Sequence, residues 1–271
     1  MITIDNSKCL RCSRCVRDCI AGLLVPGSDG IPFMPTENEK LCINCQHCLA
    51  ICPAGAVNCN GVSADECAAP GKLPAPEEMF NLLRMRRSCR LYKDENIAPE
   101  TMSVLKNALA WTPTGCNNHK LFFYIVENKD KMEFFRKETF KMLKFLIKSG
   151  ILGFFFPRFK RFFAAVMAGK DVVYRSAPHM IVAASPKDAP CKEADPWIAL
   201  SYFDLLAQSF GLGSCWCGFA VRAFKWSSRM KKHIQLPPGY QVGAVMLFGN
   251  PELSYARATK PENFNLEGKN K

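Results

Sequence analysis

The sequence is short of acid, with 24 Asp and Glu against 36 Lys and Arg, and the net charge is +12. It lacks any apolar run of the roughly 18 to 20 residues that a spanning helix requires. The longest apolar stretches, residues 151–156 and 162–169, are split by Pro157, Arg158, Lys160 and Arg161. A secretion signal is also missing: residues 1–5 carry no basic start, and cysteines begin too early for an apolar segment to follow. We therefore expect a cytoplasmic protein in a reducing compartment. No G-x-G-x-x-G fingerprint follows a strand, an absence that excludes little.

Cysteine is plentiful, at 15 residues, and eight of these form one pattern written twice. Cys9, Cys12, Cys15 and Cys19 give C-x2-C-x2-C-x3-C, and Cys42, Cys45, Cys48 and Cys52 repeat it before Pro53. A tight loop can wrap the first three cysteines of such a run around one face of an iron–sulfur cubane, while the fourth points to the neighbouring cluster. This assigns one [4Fe-4S] cluster to Cys9, Cys12, Cys15 and Cys52, and a second to Cys42, Cys45, Cys48 and Cys19. Zinc sites usually pair two knuckles rather than run three cysteines together, and a disulfide scaffold needs an oxidising compartment. Residues 1–60 thus resemble the two-[4Fe-4S] ferredoxin family, with Ile20 in place of a proline that often follows the fourth cysteine.

A chain of 271 residues suits about two domains. Residues 1–66 read as the ferredoxin-like domain, βαββαβ in miniature, with a turn around Gly27, Asp29, Gly30 and Pro32. Residues 67–76, rich in proline, read as a linker, and residues 77–271 as a second domain. Charge divides unevenly: residues 1–75 carry 6 basic against 7 acidic groups, or −1, which leaves +13 for residues 76–271. A basic second part suggests anionic groups to bind, such as a phosphate-bearing cofactor.

From Pro76 the apolar spacing becomes helical through Met79, Leu82 and Leu83, and runs into Arg86-Arg87-Ser88-Cys89-Arg90. Arginines and a serine this close offer planar donors and a hydroxyl to phosphate and carbonyl oxygens, although a solvated helix end would look the same. A helix over 99–110 precedes the polar loop Thr112-Pro113-Thr114-Gly115-Cys116-Asn117-Asn118-His119, and a strand over 121–127 follows. A buried helix over 195–210 leads to Gly211-Leu212-Gly213-Ser214-Cys215-Trp216-Cys217-Gly218. A strand over 241–248 ends in Gly249-Asn250-Pro251, with Arg257 beyond.

Four weak motifs in this order, over residues 77–262, resemble the FMN-dependent nitroreductase family. The resemblance implies an α+β fold with a central mixed sheet flanked by helices. It implies that Arg86, Arg87, Ser88 and Arg90 bind the flavin phosphate and ring edge, that Pro113, Thr114 and Asn117 form the loop at the ring, and that Ser214, Cys215, Trp216, Cys217 and Gly218 line the flavin. Arg257 then reaches the phosphate. It further implies a homodimer with FMN at the interface. His119 and Lys120 stand where the family frequently has Gln-Pro. We read Cys215 and Cys217 as small residues on a backbone that passes the ring, rather than as redox thiols. His47 reads as a solvent-facing loop residue that could instead tune a cluster.

Residues 131–170 hold 10 Lys and Arg, 2 Glu and 10 of the 20 phenylalanines. Lys137, Lys141, Lys144 and Lys148 share one helical face, with Phe135, Met142 and Leu146 on another. Phe155, Phe159, Phe162 and Val166 continue the pattern. A lid over the flavin is the preferred reading, because amphipathic helices usually pack on their own protein. A docking face for an acidic donor and a membrane surface are the others. Membrane association is not expected, and neither is nucleic acid, since no reading module is present.

The expected function is oxidoreduction, with two [4Fe-4S] clusters passing electrons to FMN and FMN reducing a small organic acceptor of nitro, quinone or activated alkene type. The electron donor would be a ferredoxin or NAD(P)H. Two alternatives stay open: an NAD(P)H-dependent nitroreductase with accessory clusters, and a non-catalytic electron-transfer subunit.

Overall fold

The computed structural model describes residues 1–150 and 157–261. Phe155 and the apolar stretch 151–156 lie outside the described residues, as does the end of the second domain beyond 261. The chain forms two compact units, one of Met1–Leu73 with Cys116–Asn118, the other of Pro74–Gly115 with His119–Lys271.

The first unit is βαββαβ. Strand β1 (Ile2–Ile4) pairs antiparallel with β4 (Val57–Cys59), and β2 (Val25–Pro26) with β3 (Pro32–Phe33). Helices α1 (Arg14–Asp18) and α2 (His47–Ala50) each begin inside a cysteine run. The β2–β3 turn closes through Gly27 N–H on the Ile31 carbonyl, with Gly30 at a φ of 79°. The core is small: Ile2, Cys15, Leu24, Leu49, Val57 and Cys59. So little apolar burial is marginal for an independent unit, and bound clusters would supply much of its cohesion.

The second unit is built on an antiparallel sheet in the order β5 (Phe122–Val126), β6 (His179–Pro186), β8 (Tyr240–Gly249), β7 (Gly213–Trp216). The parallel element is a bridge from Ser88 to Ser214. Every residue of β6 is buried, because both sheet faces are covered. On one face lie α5 (Met132–Lys148), α6 (Lys160–Met167), α8 (Gly218–Trp226) and α9 (Ser228–His233), with Phe135, Leu143, Val166, Phe224 and Met230 in the core. The other face takes α4 (Pro99–Ala108) and α7 (Asp195–Ser209), through Leu105, Leu200, Phe203 and Ala207. Helix α3 (Pro76–Met85) leads into the arginine segment. Helix α5 buries Met132, Phe135, Thr139 and Leu143, at helical spacing, while Lys137, Lys141 and Lys148 stay exposed. The basic amphipathic segment therefore packs by its apolar face into its own unit. No helix among the described residues is long and apolar enough to cross a membrane.

Candidate functional site

In the first unit the two cysteine runs share one backbone. Arg11 and Ser13 have φ of 52° and 55°, and the matching Asn44 and Gln46 have 54° and 59°. Left-handed residues alternating with ordinary ones curl a chain into a concave nest of N–H groups suited to anionic sulfur. Arg11 N–H points at Cys9 Sγ (3.4 Å), Leu23 N–H at Cys19 Sγ (3.4 Å) and Ala56 N–H at Cys52 Sγ (3.3 Å). The last two bonds span four residues in each copy. Such bonds stabilise thiolate charge and tune a cluster.

Cys9, Cys12, Cys15 and Cys52 line one small cavity with Leu10 and Arg14. These are the four cysteines assigned to the first cluster, and a cavity lined by four thiols suits a cubane. Among the described residues no three His, Cys, Asp or Glu side chains converge as they would on a single ion. A cubane gives each of its irons one thiolate and so spreads its ligands wider. Burial pushes the Cys48 thiol of the iron-free chain up to about 12, with Cys59, Cys45 and Cys42 near enough to add to the effect. Cys59 lies outside the two runs and reads from the sequence as a structural rather than a redox thiol. Buried on β4, it donates to Asn44 Oδ1 (3.1 Å), inside the second run. His47 is exposed, as expected, but stands at the first position of α2 rather than in a loop, and its Nδ1 lies 3.2 Å from Asp18 Oδ2.

In the second unit the arginine segment lies against β7. Cys89 N–H donates to the Ser214 carbonyl (2.7 Å), beside the Ser88–Ser214 bridge. Gly213 permits this approach, since a Cβ there would meet Cys89 Cβ and Sγ at 2.6 Å. Asp204 of α7, almost fully buried, organises the junction: Ser214 Oγ donates to its Oδ1, and Arg86 Nη1 stands 3.4 Å from its Oδ2. Sequence reasoning missed Asp204. The available signal was a lone acid inside the apolar run Tyr202-Phe203-Asp204-Leu205, because carboxylates are rarely buried without partners.

The segment after β8 folds back over the same arginines. Tyr92 bridges to Pro251, Lys93 N–H donates to the Asn250 carbonyl, and Glu252 N–H to that of Leu91. Arg87 donates to the Arg86 carbonyl and to Thr259 Oγ1, and Tyr255 Oη reaches the Ser88 carbonyl at 3.4 Å. Arg90 and Arg257 are exposed. The donor set of Arg86, Ser88, Arg90 and Arg257, on segments joined by these bonds, suits a phosphate monoester.

Trp216 stacks on Trp197 with ring centroids 4.8 Å apart, and Cys217 N–H donates to the Val245 carbonyl. Cys215 and Cys217 are buried, and burial pushes the Cys217 thiol up to about 12, which keeps it protonated and unreactive. Gly218 opens α8 with free space where a Cβ would stand. Next to it, Phe219 enters a cleft walled by Phe159, Phe162, Phe163 and Trp226 and edged by Arg158, Arg222 and Lys225. Phe162 and Phe219 stack at 4.7 Å.

Pro113 is exposed, and Thr114 Oγ1 accepts from His119 N–H (3.0 Å). Asn117 groups with the first unit, where its Nδ2 donates to the carbonyls of Ile43 (3.1 Å) and Asn44 (3.0 Å).

Comparison with known proteins agrees with this division. The model of the nitroreductase family matches residues 83–250, and that of a 4Fe-4S dicluster domain matches residues 8–57. The fold is similar to a nitroreductase with bound FMN from Desulfitobacterium hafniense DCB-2, at 23% identity and a TM-score of 0.57 over 70% of this chain and 97% of that one. It is also similar to a nitroreductase with bound FMN from Bacteroides fragilis NCTC 9343, at 18% identity and 0.57 over 70% and 98%. An FMN-dependent nitroreductase from Clostridium difficile R20291 matches at 15% identity and 0.52, over 71% and 98%. No curated protein matches the chain.

Proposed function

The chain belongs to the nitroreductase family and is an FMN-dependent oxidoreductase with a 4Fe-4S domain, and from that premise we propose that its electrons arrive through two [4Fe-4S] clusters and leave from FMN to a small organic acceptor. The observation that carries this reading is the pairing, in one chain, of a cavity lined by Cys9, Cys12, Cys15 and Cys52 with the junction of Arg86, Ser88, Asp204 and Ser214. Each cluster holds one electron at a time and FMN takes two, so two clusters match the demand of one flavin.

The residues then divide the work. Cys9, Cys12, Cys15 and Cys52 hold one cluster, and Cys42, Cys45, Cys48 and Cys19 the other. Arg86 and Arg257 bind the phosphate, with Arg87 anchoring the segment from 250 to 259 beside it. Ser88 and Arg90 address the ring edge, Pro113, Thr114 and Asn117 its loop side, and Ser214 to Gly218 its wall. The aromatic cleft at Phe219 supports a flat acceptor of nitro, quinone or activated alkene type, and nearby cations suit acidic substituents on it. Asp204 acts as a positioning residue, holding Arg86 and Ser214 in register.

We also propose a homodimer. Helix α7 leaves Trp197, Ile198 and Tyr202 exposed, and α3 leaves Phe80 and Leu83 exposed, which is more apolar surface than single helices usually show to water. Sedimentation should give twice the 30.4 kDa chain mass; a monomer at micromolar concentration would dismiss this part.

The function is tested by anaerobic purification with iron and flavin assays, followed by turnover with reduced ferredoxin or NADPH. About eight irons and about one FMN per chain, with turnover of a nitroaromatic or quinone, are expected. Absent flavin, or a stable partner complex with negligible turnover of every small acceptor, would refute the reading.

A further inference from the structure

The two cysteine runs have the same spacing and the same backbone, yet they differ in charge. Between Lys8 and Arg17 the first carries Lys8, Arg11, Arg14 and Arg17 and no acid, or +4. From Asp18 to Glu66 the unit has six acids, Asp18, Asp29, Glu37, Glu39, Asp65 and Glu66, against Lys40 alone, or −5. Within the second run, Cys42 to Cys52, the intervening residues carry no Lys, Arg, Asp or Glu. A fold requirement would have marked both loops alike.

All four cations are exposed, as is Cys12 among them. Among the described residues none of the four is in an ion pair, and Asp18 faces His47 instead. Arg11 occupies a left-handed position, which favours Asn over long side chains, and the other loop has Asn44 there. Its stem lies over Gly30, with Cδ 3.4 Å from where a Cβ there would be, and the residue is exposed. Between Lys8 and Arg11 in the sequence stands Leu10, 65% exposed, which with Arg14 lines the cavity of the four cysteines. An apolar centre inside a charged rim is the anatomy of a transient protein interface.

We propose that the rim of Lys8, Arg11, Arg14 and Arg17 around Leu10 is the docking site for an acidic one-electron carrier protein, which delivers electrons to the cluster at Cys9, Cys12, Cys15 and Cys52. The site rests on the two-cluster reading. One electron leaves the carrier's reduced iron–sulfur centre, which is oxidised, and enters this cluster, which is reduced; no proton moves. Positive charge steers the encounter and orients the acidic partner toward exposed Cys12, one of the residues that would hold the cluster.

The test uses the full chain with its clusters and a plant-type [2Fe-2S] ferredoxin, an acidic protein whose reduced EPR signal separates from that of reduced [4Fe-4S]. Rapid-freeze EPR follows decay of one signal and growth of the other. Arg11→Glu/Arg14→Glu/Arg17→Glu should lower the second-order rate by roughly 100-fold at low ionic strength. The difference should shrink toward 1 M salt, where the screening length is about 3 Å. Reduction by the small cation methyl viologen, in its reduced form, should not slow. Should the triple variant lose iron, Arg17→Glu alone, outside the cavity lining, should still slow the ferredoxin reaction by about 3- to 10-fold. Unchanged ferredoxin rates at low salt in an iron-replete variant would overturn the proposal, as would equal slowing with methyl viologen. Loss of iron binding in the unsubstituted chain would instead strike the cluster reading beneath it.

Discussion

The smaller unit has a core cluster of six buried side chains, two of them cysteines, whereas the sheet unit fully buries Phe135, Phe203, Phe224 and Phe248 around its strands. The difference lies in how each element gets its cohesion. A sheet covered on both faces can stand by apolar burial, and a cofactor then occupies a site prepared in advance. A unit of short strands and two short helices needs its ligand to complete the fold. In the first unit the proposed cluster ligands overlap the core, with Cys15 inside it and Cys42, Cys48 and Cys52 packed against it, whereas the core of the second unit is built largely from residues outside the proposed flavin site.

Removal of iron should break the comparison most visibly. Anaerobic chelation should strip amide protection from β1 and β4 by orders of magnitude while β6 and β8 keep theirs, as read by hydrogen exchange. Equal protection of β1 and β4 before and after would show that the small unit stands alone. Arg86→Ala sharpens the other side. It should weaken FMN binding by roughly 10- to 100-fold, the loss of charge-assisted hydrogen bonds worth about 1.5–3 kcal/mol, with a smaller loss of stability in the sheet unit, because buried Asp204 keeps Ser214 as a partner. A large stability loss without a change in flavin affinity would make Arg86 structural.

The smallest effect concerns pH in the sheet unit. His179 is fully buried; Ile97 N–H donates to its Nε2 (3.0 Å), so its Nδ1–H must face the Val126 carbonyl (2.9 Å). Burial lowers its pKa below 6.5, and protonation would set two donors against each other. Below pH 6.5 the unfolded chain takes up a proton that the folded one does not, so stability falls as pH falls, by at most about 1.4 kcal/mol per unit, until the folded pKa is passed. Stability that is flat from pH 7 to 5 for the native chain, and equally flat for His179→Asn, would remove His179 from the account.

Much of this was legible in the sequence because the chemistry needs fixed spacing. The cysteine runs announced loops that lead into helices, and Pro76, Pro99 and Asp195 marked the starts of α3, α4 and α7 as found. The arginine segment and the Gly213–Gly218 run stood far apart in sequence, and only the bridge from Ser88 to Ser214 shows them adjacent. Asp204 was hidden because its partners are 118 and 10 residues away. The left-handed positions Arg11, Ser13, Asn44 and Gln46 carry no glycine to betray them. For Asn117 the spacing identified a polar loop but not the Ile43 and Asn44 carbonyls that its amide meets.

The central claim is that electrons reach the flavin through the cysteine-bound clusters, and single-turnover stopped flow under argon tests it most directly. Flavin bleaching by reduced ferredoxin should be fast in the native chain and fall by at least 100-fold in Cys9→Ala/Cys42→Ala with FMN still bound. Bleaching at the native rate in that variant would contradict the account.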